Sequence, residues 1–446
     1  MSAFSYTTLA NAFLTGASSP SAFLEACLAR IDAREAEVAA FVVLDIEAAR
    51  AAARASDARW KAGTPLSPVD GMPVGVKDII ETADFPTGQG SPMWEGFTGG
   101  RDAATVAALK EAGAIILGKT TTTEFASSPT FATTTNPHDP TRTPGGSSSG
   151  STAAVGAGFV PMALGSQVVG STLRPSSFCG CVGFKPSVGG LNRGGSYDYL
   201  SHSCVGIIGT ALEDVWLTSK AIASRVGGDP GHVGLTGPVT VPGPVKPRRL
   251  LLLETDGWNR ATPGALAAFE AVVEGLSEAG IDLVDRTMDP ALDAFEWAIG
   301  DIRTLSSTIL SWEHRWPLNG HVARNAGQIH PVTLERFSEA RVLTQGDYAE
   351  ALLERQELRD AFAALMDGVD GAVTLAATGA APVGLTSTGD PGFNMPASML
   401  GVPALTLPLL SDAGMPLGLQ LIGRQNEDAE LFRLAAWVTA WHAARV

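Results

Sequence analysis

Two serines and a lysine carry the chemistry of this sequence. One serine, Ser148, stands in the run Gly145-Gly146-Ser147-Ser148-Ser149-Gly150-Ser151. The other, Ser171, stands in Gly170-Ser171-Thr172-Leu173-Arg174-Pro175, and the lysine in Gly75-Val76-Lys77-Asp78. A serine hydroxyl attacks poorly until a base takes its proton, and a lysine serves as that base only when neutral. Lys77 follows Val74-Gly75-Val76 and precedes Asp78-Ile79-Ile80, a strand-like stretch that belongs in a core. Burial disfavours the ammonium form and readies the amine to accept a proton. Two serines and a buried lysine supply a nucleophile, a proton bridge and a base without histidine, cysteine or metal, which points to a hydrolase. The Gly/Ser run also reads as a linker. Against that, Ala153 to Leu164 follows at once with an uncharged, helix-then-strand texture, and a linker seldom leads straight into core.

The same residues resemble the amidase signature family, whose mark is a Gly/Ser-rich stretch leading to a nucleophilic serine. Further blocks carry the likeness in order: Gly71-Met72-Pro73-Val74-Gly75-Val76-Lys77-Asp78, Ala112 to Thr120 with Glu124-Phe125-Ala126, Phe178 to Pro186, and Gly418 to Gly423. The resemblance implies that Ser171 attacks a carbonyl to form an acyl-enzyme, that Lys77 is the base, and that Ser148 relays the proton between them. It also implies a cis peptide bond joining Ser148 to the supporting Ser147. An oxyanion hole made of the backbone N–H groups of Val168, Val169, Gly170 and Ser171 follows from the same likeness. Where relatives show Asp-Thr-Gly-Gly-Ser, this chain has Gln167-Val168-Val169-Gly170-Ser171. Valine disfavours the positive φ that glycine accepts, so either the backbone at Val169 is ordinary or the loop has shifted. By the same analogy Ser127 to Phe131 line the acyl side of the pocket. Arg174 and Asp102 either pair with each other or brace loops.

Bulk properties bound the rest. The 446 residues are 45% hydrophobic and 17% charged, a globular composition with ample core material. A net charge of −15 argues against nucleic acid and against an anionic membrane surface as partners. Cys27, Cys179, Cys181 and Cys204 form no dense framework and read as buried free thiols; the seven scattered histidines give no metal-ligand spacing. No metal or other cofactor is expected. With no targeting segment and no spanning apolar run, the expected location is the cytoplasm. A homodimer is left open.

The elements that must position these residues alternate in type. Residues 7 to 63 read as helical, with Leu24, Cys27, Leu28 and Ile31 on one face. Strand-like runs follow at Val74–Val76, Ile115–Leu117, Phe159–Leu164 and Val205–Ile208, with a helix at Thr105–Ala112. After an irregular connection over 226–248 come a strand at Leu250–Leu253, a helix at Pro263–Ala279, a strand at Ile281–Val284, a helix at Tyr348–Met366 and a strand at Ala372–Leu375. The expectation is one large α/β/α layered domain around a mixed, mostly covered sheet. It divides into a helical segment (1–65), a catalytic core (66–225), a variable region (226–385) and a C-terminal core segment (386–446). The tryptophans and histidines of 285–345 serve either as a lid or as core.

The function this implies is cleavage of C–N bonds in small amides, hydrophobic or aryl, and by the same mechanism carbamates and esters. One alternative is a glutamine-hydrolysing amidotransferase subunit, which needs a polar pocket for the glutamine backbone and a partner protein. The other is a non-catalytic binding protein on the same fold.

Overall fold

The computed structural model describes residues 5–127 and 132–445. Eleven strands form one sheet: β1 (Phe41–Leu44), β2 (Pro73–Lys77), β3 (Ile115–Thr120), β4 (Met162–Gln167), β5 (Val182–Lys185), β6 (Cys204–Gly209), β7 (Arg249–Leu252), β8 (Asp282–Val284), β9 (Gly371–Leu375), β10 (Ala404–Asp412) and β11 (Met415–Ile422). Their order across the sheet is β1-β3-β2-β4-β6-β5-β10-β11-β9-β7-β8. β2 runs parallel to β3 and β4, and β7 parallel to β8 and β9. The remaining neighbours are antiparallel. The sheet is therefore mixed, and helices surround it in a single α/β domain. Every residue of β2, β4, β5, β6 and β9 is buried, as their largely apolar texture leads one to expect, and the burial extends to Lys77, Ser166, Gln167 and Lys185 at the strand ends.

The helices start where their sequences say they must. Ser19, Thr262, Asp289 and His330 each accept a first-turn backbone N–H through the side chain, and each precedes a proline at the first helical position. The cap satisfies an orphan donor, and proline has no N–H to leave unpaired there. In the Pro20–Val38 helix, Leu24, Cys27, Leu28 and Ile31 are all buried, and Leu24, Leu28 and Ile31 share a cluster with Ile115, Leu117 and Phe159. Gly227 to Arg248 contains no helix or strand, yet it is pinned, with the indole of Trp216 donating to Thr240 O at 2.9 Å.

Most boundaries shift by one to three residues from the sequence reading, and two differences change the architecture. Phe41–Leu44 is a strand inside the stretch read as wholly helical. It pairs antiparallel with β3 at the sheet edge, and its aromatic and β-branched residues suit a pleated surface better than a helix. β4 runs from Met162 to Gln167 rather than from Phe159 to Leu164, because its pairing with β6 continues through Gln167↔Cys204. That shift matters for the site, since it carries Ser166 onto the sheet.

The region over 285–345 resolves into a helical hairpin, Ile302–Asn325 and Pro331–Ala340. It docks through the buried Glu124. That carboxylate accepts from Thr333 Oγ1 at 2.6 Å, from Ser91 Oγ at 3.0 Å and from the backbone N–H of His330. His321 stacks on Phe125, with ring centroids 4.3 Å apart. The tryptophans do neither job expected of them: Trp297 and Trp316 are exposed, and Trp312 stacks on Tyr348.

Candidate active site

The parallel arrangement of β2 and β4 brings Lys77 and Ser166 to the carboxyl ends of adjacent strands. Open α/β sheets place their reactive groups at such ends, where the chain leaves the sheet in loops. Lys77 is completely buried, and its Nζ lies 2.8 Å from Ser166 Oγ and 2.7 Å from Ser147 Oγ. Burial pulls its pKa down to about 7, and the carboxylate of Asp198 opposes that shift. Two other lysines are as deeply buried but differently held. Lys119 pairs with Asp78 at 3.2 Å, and Lys185 donates to Pro186 O. Lys77 is the one of the three whose hydrogen-bond partners are both hydroxyls.

The serine facing Lys77 is Ser147. Ser148, expected there from the sequence, points elsewhere. Its Oγ accepts from the backbone N–H of Ser166 and donates to Ser166 O, both at 3.2 Å, and its own N–H donates to Ser171 O at 3.3 Å. Ser148 thus ties the Gly/Ser run to the end of β4 and to the Ser171 loop. The cis peptide bond likewise joins Gly146 to Ser147, one residue earlier than expected. Ser149 then opens the Ser149–Gly156 helix. The correction has a simple cause. Three serines stand in a row, and residue type cannot say which hydroxyl a turn aims at the lysine.

Ser171 stands two residues before the Leu173–Cys179 helix and is half-buried. It lines a cavity of about 440 Å³ together with Ser147, Val168, Val169 and Gly170. Gln167 fixes the turn: its Oε1 accepts from the N–H groups of Thr172 and Leu173, both at 3.0 Å, and its Nε2 donates to Ser398 Oγ. Ser398 Oγ donates in turn to Val169 O at 2.8 Å. With the carbonyls of Val169, Gly170 and Ser171 engaged, their N–H groups have no protein acceptor among the described residues.

Neither Val168 nor Val169 adopts positive φ, so the backbone there is ordinary. Val169 packs instead against the apolar cluster that includes Leu173 and Met395. Gly170 is required for space: a Cβ there would sit 2.7 Å from Arg174 Nη1 and 2.8 Å from Asn394 Oδ1. Asn394 is itself fixed, donating through Nδ2 to Ala376 O and Gln420 Oε1.

Arg174 and Asp102 do not pair. Arg174 is buried and donates to Gly146 O at 2.7 Å and Thr388 O at 2.6 Å, which braces the Gly/Ser run against the 386–391 loop. Asp102 pairs on the other side with Lys110. Ser127 lines the cavity, whereas Ser128 to Phe131 lie outside the described residues. Two charged cavity residues, Asp198 and Arg336, are not singled out by the sequence, whereas His314 belongs to the histidines of 285–345 read as lid or core. An adjoining chamber of about 370 Å³ shares Phe125, Ser127, Val169, Leu310, His314 and Arg336 with the first; it adds the apolar Leu318, Ala340 and Met395, and a polar side that includes Arg303 and Glu339.

A model of the family described as Amidase matches residues 22–432. The chain belongs to the amidase family. Its relatives include a glutamyl-tRNA(Gln) amidotransferase subunit from Chloroflexus aggregans (strain MD-66 / DSM 9485), 34% identical over 94% of this chain and 93% of that protein. The corresponding protein from Salinispora arenicola (strain CNS-205) is 31% identical over 98% of this chain and 96% of its own length. Among solved structures, a crystallised amidase superposes with a TM-score of 0.84 at 27% identity, covering 99% of each chain. The peptide amidase of Stenotrophomonas maltophilia, 23% identical, shares the fold with a TM-score of 0.80 over 99% of this chain and 97% of its own. The protein is accordingly an amidase-signature hydrolase. Among its described residues no helix is long and apolar enough to cross a membrane.

Proposed function

We propose that this amidase cleaves the C–N bond of small amides through a covalent acyl-enzyme on Ser171, with Ser147 as proton relay and Lys77 as base. The observation that carries this reading is the contact between Ser147 and a lysine that is half neutral near pH 7, in the cavity Ser171 lines. The Ser171 hydroxyl proton passes to Ser147 Oγ as the Ser147 proton passes to Lys77 Nζ, and Ser171 Oγ bonds to the carbonyl carbon. The negative oxygen so formed takes hydrogen bonds from the free N–H groups of the Val168 to Ser171 loop. As the C–N bond breaks, the relay runs backwards and protonates the leaving amine. Water then enters by the same route and releases the acid.

The apolar side of the adjoining chamber (Phe125, Val169, Leu310, Leu318 and Met395), which faces polar residues that include Arg303 and Glu339, supports a hydrophobic or aryl group on the substrate. Carbamates and esters present the same carbonyl to the same serine, and a carbamate would leave a carbamoyl-enzyme that water clears with loss of carbon dioxide. A glutamine-hydrolysing role beside a partner protein is the second reading, favoured by the 34% identity to an amidotransferase subunit.

The test is amine release from matched aryl amides and aryl carbamates, and ammonia release from glutamine, by the wild type and Ser171→Ala. The expected result is turnover of an aryl compound that the substitution abolishes. Turnover of glutamine alone would move the assignment to the second reading. Full activity in Ser171→Ala would refute the nucleophile, and binding without turnover would favour a non-catalytic protein on this fold.

A further inference from the structure

The mechanism leaves one charged group of the cavity unused. Asp198 lines the same cavity as Ser147 and Ser171, and only 4% of it is exposed. Its Oδ1 accepts from Ser196 Oγ at 2.7 Å, while its buried Oδ2 has no hydrogen-bond partner. No Lys, Arg or His among the described residues lies within ion-pair distance of it. The cations that line or adjoin the cavity are engaged elsewhere: Lys77 with two hydroxyls, Arg174 with two carbonyls and a hydroxyl, and Arg336 with Ser127 Oγ. A desolvated carboxylate oxygen without a donor is costly, and native structures rarely keep one without a use. Among the residues lining this cavity it is the sole carboxylate. The complement to a lone buried carboxylate is a cation, since charge-assisted hydrogen bonds are about twice as strong as neutral ones. The net charge of −15 favours the approach of cations over anions.

We propose that Asp198 selects substrates bearing a primary or secondary ammonium group, which its carboxylate takes up while the reacting carbonyl lies at Ser171. This rests on the amide-hydrolase reading above and narrows it to amino-amides, with the apolar side of the adjoining chamber holding the rest of the molecule. The group is close enough to Lys77 and His314 for its charge to act on both, so a bound cation would share the cavity with the base and leave the apolar side of the adjoining chamber free.

The experiment separates binding from turnover. Calorimetric binding to Ser171→Ala is measured for two isosteric pairs, 4-aminobutyryl anilide against pentanoyl anilide and 4-(aminomethyl)anilides against 4-ethylanilides. The pairs place the ammonium on the acyl side and on the leaving-group side respectively. The expected result is at least tenfold tighter binding of the ammonium member of one pair, with that ratio collapsing toward one in Ser171→Ala/Asp198→Asn. Asp198→Ser is the second variant, and the pentanoyl or ethyl compound reports in each case that the cavity is still formed. Equal binding within both pairs, or a preference that survives both substitutions at Asp198, overturns the inference. Release of amine from the same compounds by the wild type is scored separately. Binding with the expected ratio but no release sinks the hydrolase reading and leaves Asp198 as a ligand-binding residue.

Discussion

Replacing Lys77 with methionine keeps the volume of the side chain and removes the amine, and two consequences follow from its burial. The first is kinetic. A base with a pKa of about 7 is half protonated at neutral pH. For a neutral substrate, kcat/KM should rise tenfold per pH unit below 7 and level off above it, so the rate at pH 5 is about one hundredth of the plateau. Lys77→Met should lose about 10² to 10⁴ in kcat/KM, the range of general-base contributions, and the inflection near pH 7 should vanish with it. The second consequence is thermodynamic. The folded pKa lies below the unfolded one, so the unfolded chain binds the extra proton between about pH 7 and 10.5, and stability gained from this group rises with pH across that window. A depression from 10.5 to about 7 corresponds to a penalty on the order of 5 kcal/mol below pH 7. Denaturant unfolding of both proteins at pH 6 and pH 9.5 reads it: the wild type should gain several kcal/mol more than Lys77→Met over that interval. A wild-type rate that peaks near pH 5 refutes the neutral-lysine argument. So does an inflection that persists in the variant, or parallel stability curves.

Other outcomes follow from the same geometry. Ser147→Ala should cost at least a hundredfold in kcat/KM, whereas Ser148→Ala should keep activity within tenfold and lose about 1–3 kcal/mol of stability, because it breaks bonds to Ser166 and not to Lys77; the reverse order would restore Ser148 as the relay. Gly170→Ala should abolish most turnover without unfolding the chain, since its Cβ falls 2.7 Å from Arg174 Nη1, and a crystal structure of an active variant would disprove the crowding. Glu124→Gln should loosen the 302–340 hairpin. The expected signs are about 1–3 kcal/mol lower stability and a raised KM, and an unchanged KM would show that the hairpin's docking does not shape the cavity.

Much of this site can be read in one dimension, for identifiable reasons. Lys77 betrays itself because a charge inside Val-Gly-Val-Lys-Asp-Ile-Ile cannot be solvated. Ser171 is marked by its place before Thr172-Leu173-Arg174-Pro175. The buried face of the Pro20–Val38 helix is visible as three- and four-residue spacing. What escapes is whatever depends on direction or on distant partners. In Ser147-Ser148-Ser149 the choice of relay is made by bonds from Ser148 to Ser166 and Ser171, which no local pattern encodes. Ser166 is hidden because the apolar run of β4 stops two residues before it, and only pairing with β6 extends that strand. Asp198 and His314 come from a loop and a helix whose sequences carry no motif. The short strand Phe41–Leu44 is masked by the strong helices on either side.

The order of strands has a consequence for biosynthesis. β1 to β6, with Lys77, Ser147 and Ser171, occupy the first half of the chain, and β7 to β9 build the far side of the sheet. Among the described residues the two parts of the sheet are joined only through the β10–β11 hairpin, which pairs with β5 on one side and β9 on the other. Ser398, which holds the loop before Ser171 through Val169 O, emerges from the ribosome just ahead of that hairpin. A nascent or truncated chain therefore carries all three side chains of the proposed triad long before it carries the part that fixes the loop before Ser171. Translation itself withholds the amide-cleaving activity until residues 394–422 have emerged, and leaves the β5 and β9 edges unpaired in the meantime. Those edges are where chaperones would be needed and where aggregation of shortened products should begin.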